Sequence, residues 1–329
     1  MAPPSFPPAS AEGRWRRTPP AIFPPIFGLF GLGLAWRRGA ESLGGTGGLP
    51  AGLGEAILGA VTLLYLVCLA AWLSKPLRRP AVALEELRVL PGRAGLAGMT
   101  LAAMLMAATL VPYGAGLATA VAVTAFAAHC ALVLGNLWLM ARGPEEARTV
   151  TPVWHVTYVG FIIGPLAGIP LGHLGIATAI LYLTIPVAIA IWAVSLWQLA
   201  TRIPPPPLRP LLAIHLAPAA MFATVAAMLG LPVLGALFTA VAAAIFLALL
   251  AAGCWITVAG FSPMWGAFTF PLAAFASALF ANAGGSEVMR WAAVTVLVAA
   301  TLAIPAIAAK VLQAWAKGGL AERTNAARA

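Results

Sequence analysis

The stretch FSPMWGAFTFPLAAFASALF, residues 261–280, decides the fold. It has the length and apolarity of a membrane-crossing helix, is crowded with aromatics, and carries Pro271 in its middle. Within a helix a proline removes a backbone hydrogen bond and its ring clashes with the carbonyl one turn back, at a cost of about 3 kcal/mol. Soluble core helices rarely carry that cost. Membrane helices do, because neighbouring helices or a water-lined path satisfy the freed backbone groups. The interrupted segment therefore reads as one wall of a conduit, with Phe270 beside the proline as its plug.

The rest of the chain agrees with a membrane setting. Of 329 residues, 62% are hydrophobic and only 9% charged, too little polar surface to cover a water-soluble globule. A spanning helix needs about 20 apolar residues, so ten spans would use roughly 200 and leave short connections, with no soluble domain over. The expected spans are residues 20–36, 53–73, 94–111, 117–140, 152–169, 174–197, 210–229, 233–258, 261–280 and 288–309. A proline-rich tail (1–19) precedes this ten-helix region (20–316), and a short tail (317–329) follows it. Between the second and third spans, residues 75–93 carry five basic residues and the pair Glu85 and Glu86, the pattern of a short amphipathic surface helix.

The formal charge of +10 arises from 19 Lys and Arg against 9 Glu, with no Asp. These cations sit in loops between apolar segments rather than in a nucleic-acid-binding patch. With the N-terminus inside, 16 of them fall on the cytoplasmic side and only Arg37, Arg38 and Arg290 outside, so both termini are expected in the cytoplasm. Most odd-numbered spans carry internal or near-terminal prolines: Pro24 and Pro25, Pro165, Pro218 and Pro271. The second, fourth and eighth carry none inside, although Pro186 and Pro305 lie in even spans. This suggests five helical hairpins, each pairing a bent helix with a straight one, the bent helices ringing a centre.

Catalytic groups are scarce. Cys68, Cys130 and Cys254 lie singly in apolar segments and read as small buried hydrophobes. Glu55, Glu287 and Arg290 lie near span ends, as do His155, His173 and His215, where interfacial placement is the simpler account. His129 is deeper and reads as a histidine hydrogen-bonded between helices. No two histidines share i, i+3 or i, i+4 spacing, so no metal or other cofactor is implied, and no glycine-rich nucleotide loop suggests an enzyme. Proton-coupled carriers usually place ionisable residues in their spans, and the bent helices here are nearly free of charge, as suits a passive path. Candidate lining or kink residues are Pro25, Gly28, Gly164, Pro165, Pro218, Gly266 and Pro271. The glycines would either widen a lumen or let helices pack closely. Phe270 would either project into that lumen or pack between helices; Gly266 and Ser277 keep its helix face otherwise small.

Four stretches, PPIFGLFGLGLAWR (24–37), TPVWHVTYVGFIIGPLAG (151–168), LRPLLAIHLAPAA (208–220) and MWGAFTFPLAAFASA (264–278), resemble the TehA tellurite-resistance, slow-type anion channel and C4-dicarboxylate transporter family. The resemblance implies an all-α integral membrane protein of a bacterial inner membrane, with five hairpins around a central quasi-fivefold pore. It implies odd helices inside, a homotrimer with one pore per subunit, and Phe270 as the occluding gate. The expected function is an anion channel for small anions such as chloride or nitrate, with a link to tellurite resistance. The alternative is a secondary transporter of sulfite, tellurite or C4-dicarboxylates.

Overall fold

The computed structural model describes residues 17–44, 50–143 and 148–327. Most of the expected N-terminal tail therefore lies outside the described residues, as do parts of the loops after the first and fourth spans.

The described chain is helical, with no strand. Its α-helices are α1 (Phe23–Leu43), α2 (Ala51–Leu73), α3 (Ala81–Arg88), α4 (Leu90–Leu110), α5 (Ala115–Arg142), α6 (Pro165–Gly168), α7 (Leu174–Thr201), α8 (Leu216–Met228), α9 (Pro232–Ala251), α10 (Gly253–Ile256), α11 (Thr269–Asn282), α12 (Glu287–Ala316) and α13 (Gly319–Arg323). Among the described residues eight helical stretches are long and apolar enough to cross a membrane. The first and fifth expected spans stand apart from these eight. α1 has its apolar run cut by Arg37 and Arg38, and His155–Gly168 is a shorter apolar stretch.

Proline explains how the bent segments are made, and corrects the reading of residues 261–280 as a helix broken in its middle. A 3-10 turn, Pro263–Phe268, precedes α11, which begins at Thr269. Pro271 thus sits in the first turn of an α-helix, where the backbone N–H groups have no intrahelical partner and proline costs little. The same construction recurs. Pro24 and Pro25 open α1 after the turn Pro20–Ile22, Pro91 opens α4, Pro165 is the first residue of α6, and Pro218 lies in the first turn of α8 after the turn Pro206–His215. The fifth segment is the most irregular, passing from a π-helical turn at His155–Val159 through a 3-10 turn at Gly160–Ile163 into α6.

Burial alternates along the chain. The apolar stretches of Leu90–Leu110, Pro206–Met228 and Pro263–Asn282 are 61 to 72% buried, whereas those of α2, α5, α7, α9 and α12 are only 22 to 39% buried. The five bent segments form the inner layer. α1 packs on α4, α4 on the fifth segment, that segment on α8, α8 on α11, and α11 closes back on α1. Each outer helix leaves a face of large apolar side chains exposed, among them Leu63 and Val67 on α2 and Leu183 and Leu196 on α7, as lipid contact demands.

Glycine sets how closely the inner segments approach. A Cβ on Gly28 would fall 2.3 Å from the Cβ of Thr269, and one on Gly95 would fall 2.2 Å from the backbone of Pro20. These residues serve close helix packing.

The amphipathic helix expected within residues 75–93 is α3, and it is more deeply anchored than a surface helix. Glu86 is fully buried, where it pairs with the equally buried Lys75 and accepts a 2.7 Å hydrogen bond from Trp72 Nε1. Burial pushes the Lys75 ammonium down from its ordinary pKa and the Glu86 carboxyl up. Lys75 also donates to the Thr18 carbonyl, tying down the start of the described chain. At the other end, part of the expected tail 317–329 folds back as α13, with Leu320 fully buried.

Candidate functional site

Phe270 is the second residue of α11 and is 5% exposed. Its ring stacks on that of Phe27 of α1, centroids 3.8 Å apart and planes inclined by 19°. α1 can come this near because of its glycines: a Cβ on Gly31 would meet Phe270 Cδ2 at 2.9 Å, and a Cβ on Gly28 the Phe270 backbone nitrogen at 3.0 Å. Thr269 Oγ1 bonds to the Gly266 carbonyl at 2.7 Å and reaches the Pro24 carbonyl at 3.2 Å, locking the start of α11 against the start of α1.

Cavities meet at this ring. One, about 250 Å³, lies toward the C-terminal ends of the inner segments and is lined by Leu34 and Arg38 of α1, Ala108 of α4, Leu166 of α6, Thr224 of α8 and Ser277 of α11, besides Phe270. A second, about 60 Å³, lies toward their N-terminal ends and is lined by Pro24, Gly98, Val156, Ala217 and Pro271, again with Phe270. All five inner segments contribute to both. A third, about 30 Å³, touches Phe27, Phe270, His155, Gly160, Pro218 and Met221.

Three charged side chains line the wide cavity, the adjacent Arg37 and Arg38 and the carboxylate of Glu41. Arg37 is committed to structure: its guanidinium grips Glu55 through two contacts of 2.6 and 2.8 Å and reaches the carbonyls of Ala108 and Thr109 near the end of α4. Glu55 also accepts from the Tyr113 hydroxyl at 2.5 Å, which raises the Tyr113 phenol above its ordinary pKa. Arg38, by contrast, has as its hydrogen-bond partner among the described residues only the Met228 sulfur, at 3.4 Å, a weak acceptor for a group with five donors. Glu41, at the rim, is the nearest opposite charge.

Two of the histidines, His155 and His215, differ from expectation. His129 does bridge helices, its Nδ1 2.7 Å from Thr100 Oγ1 and its Nε2 3.0 Å from the Thr157 carbonyl. A carbonyl only accepts, so Nε2 carries the proton and Nδ1 accepts from the threonine. His155 and His215, expected at the interface, instead face each other, His155 Nε2 and His215 Nδ1 being 3.0 Å apart, with His155 2% exposed. Sixty residues separate them, and only the packing of the fifth segment against the turn before α8 brings them together. The cysteines are free; Cys68 is buried, whereas Cys254 is exposed on the outer layer, against the expectation of burial. No group of three or more metal-ligating side chains occurs among the described residues.

Of the seven lining candidates, Pro25 and Gly28 lie at the contact between α1 and the start of α11. Pro271 and Gly266 line the narrow cavity and Pro218 the smallest one, with the Cβ position of Gly266 3.1 Å from Pro24. Gly164 packs on Phe126 of α5, away from these cavities, and Pro165 starts α6. Sequence reasoning missed Phe27 and Gly31, although both lie one turn from Gly28 or Pro24 in the same quoted stretch. It also missed Arg38, which served there only as an orienting charge.

The inner layer of proline-started segments and the apolar, outward-exposed outer helices are those of a multi-pass membrane protein. The family model described as voltage-dependent anion channel matches residues 17–312, and the chain belongs to this SLAC1 family. A comparison with curated proteins returns no match. Members of this family are channels or transporters of anions.

Proposed function

We propose that the chain passes small anions along the axis of its inner segments and that Phe270 is the plug. One observation carries the reading: Phe270 lines the cavities on both sides of it, each built from all five inner segments. An aromatic held by stacking on one neighbour is a closure that a rotamer change can remove, because the ring is fixed by packing rather than by a hydrogen bond. One further feature supports anions over cations: Arg38, with only the Met228 sulfur as its hydrogen-bond partner among the described residues, lines the 250 Å³ cavity. Weak attraction of this kind admits an anion without trapping it.

In this reading all ten expected segments cross a bacterial inner membrane as five hairpins around a quasi-fivefold pore, and three copies assemble with one pore each. The outer helices, apolar and exposed, supply the lipid and subunit contacts. A role in tellurite resistance would follow from passage of an oxyanion through the same lumen.

The test is anion current through the purified protein in planar bilayers across a chloride gradient, native chain against Phe270→Ala. A plug predicts a large gain of current that reverses at the chloride Nernst potential, with folding retained. A ring that only packs predicts a loss of about 3 to 5 kcal/mol of stability and no new conductance.

A further inference from the structure

The histidine pair lies between two cavities. His155 lines the 30 Å³ cavity together with Phe27 and Phe270. His215, half-buried, lines a separate cavity of about 670 Å³ formed with Thr149, Thr151, Ser195, Gln198 and Arg202, beside the N-terminal ends of the fifth and seventh segments. The two rings, nearly perpendicular at 87°, join these spaces through one contact, Nε2 of His155 to Nδ1 of His215.

Three buried polar atoms around this contact have no protein hydrogen-bond partner among the described residues: His155 Nδ1, Thr151 Oγ1 and Ser195 Oγ. Thr151 and Ser195 line the 670 Å³ cavity with His215. Buried polar groups without partners are costly, and water in this cavity, whose lining is mostly apolar but includes Thr149, Thr151, Ser195, Gln198 and Arg202, would satisfy them. The pair therefore has a wet approach on the His215 side and an uncommitted ring nitrogen on His155.

Proton bookkeeping follows from the contact. Only one of the two facing nitrogens carries the shared proton. A proton taken by His215 Nε2 from water in the 670 Å³ cavity leaves a singly charged pair. The shared proton can then pass from His215 Nδ1 to His155 Nε2, and His155 can release one from Nδ1 beside the Phe270 cavity. One proton enters, one leaves, and the pair ends in its other tautomer. The groups packed around the pair carry no competing charge. Trp192 of α7 faces His155 and donates to the His215 carbonyl, and Leu101 of α4, Met221 of α8, Phe27 of α1 and Phe270 of α11 line the cavity His155 shares. Among the described residues lining the 670 Å³ cavity with His215, Arg202 is the charged one.

We propose that His155 and His215 form a proton-binding site linked to anion occupancy beneath Phe270. This rests on the reading of the axis as an anion path. A proton held on the pair places positive charge beside the cavity that Phe270 closes, so it strengthens anion binding there. By thermodynamic reciprocity an anion in that cavity must strengthen proton binding equally.

Two measurements on the full-length protein test this, one of which needs no transport. The chain has four histidines, so nitrogen-15 spectra of histidine-labelled protein in detergent resolve each ring. The expected result is that His155 and His215 titrate as one coupled pair as the pH is lowered, that chloride or nitrate shifts this titration toward higher pH, and that His215→Gln alters the His155 signal. Two rings that stay neutral throughout, or a titration indifferent to both anions, would overturn the site even if current is never seen. In liposomes, the native chain is expected to carry anion flux that rises toward acid by up to about tenfold per pH unit, the limit for one bound proton, with the rise abolished in His215→Gln. Flux that is present but independent of pH would leave the conduction reading standing and overturn the linkage. Absent flux in both the native chain and Phe270→Ala would overturn conduction, with the spectra still deciding whether the site exists.

Discussion

The ring of Phe270 is wedged between a stacking partner, Phe27, and a residue with no side chain, Gly31. The two contacts make opposite demands: stacking holds the ring, and the missing Cβ gives it room. Gly31→Ala would place a methyl 2.9 Å from the ring and 3.2 Å from Ala273 Cβ, an overpacking that costs about 1 to 3 kcal/mol. Most of that cost comes from the ring, so Phe270→Ala should relieve it, and a double-mutant cycle by thermal unfolding is expected to show a coupling of about 1 kcal/mol or more. Additive losses would mean that the ring does not rest on Gly31. At the same scale, Lys75 and Glu86 are a buried pair in which each ion depends on the other. Lys75→Met alone should cost about 3 to 5 kcal/mol by stranding a carboxylate, and Lys75→Met with Glu86→Leu should recover most of it. Equal loss in the single and double variants would show that packing, not charge, is what matters there.

At the scale of elements the recurring device is a 3-10 turn followed by an α-helix whose first turn holds proline. Its consequence is measurable at Pro271. A proline in the middle of a helix costs about 3 kcal/mol, so its replacement by alanine would raise stability by a similar amount. In the first turn of α11 there is no hydrogen bond to restore, and Pro271→Ala is expected to change unfolding stability by less than about 1 kcal/mol. A large stabilisation would place the proline inside a continuous helix instead. The device also explains the glycines. Helices that start in mid-molecule beside one another need thin neighbours, and Gly28 and Gly266 supply them where α1 meets α11 and its preceding turn.

Over the whole molecule, charge and shape divide between the layers. The inner layer carries the cavities, and Arg38, whose hydrogen-bond partner among the described residues is only the Met228 sulfur, lines the 250 Å³ cavity beside Phe270. If that arginine draws anions in, Arg38→Gln should lower anion current several-fold at low ionic strength, and the difference should shrink as salt screens it. A salt-independent loss would assign Arg38 to folding rather than to attraction. Arg37, one residue earlier, is bound to Glu55 and would not serve as such a control.

Much of this was legible in the sequence, and the reasons are local. Hydropathy reports the cost of leaving backbone groups in lipid, so the membrane setting, most spans and the amphipathic α3 could be read from residue order. Four short stretches sufficed for the family, and the bent segments announced themselves by proline. Three things depended on tertiary structure. Whether Pro271 interrupts a helix or begins one is set by where the preceding 3-10 turn ends, which residue order leaves open. Which arginine is spent is decided by where Glu55 reaches across from α2 to α1. The pairing of His155 with His215 joins residues 60 positions apart on different segments, a contact that no periodicity encodes because it is made by the packing of one inner segment on the next.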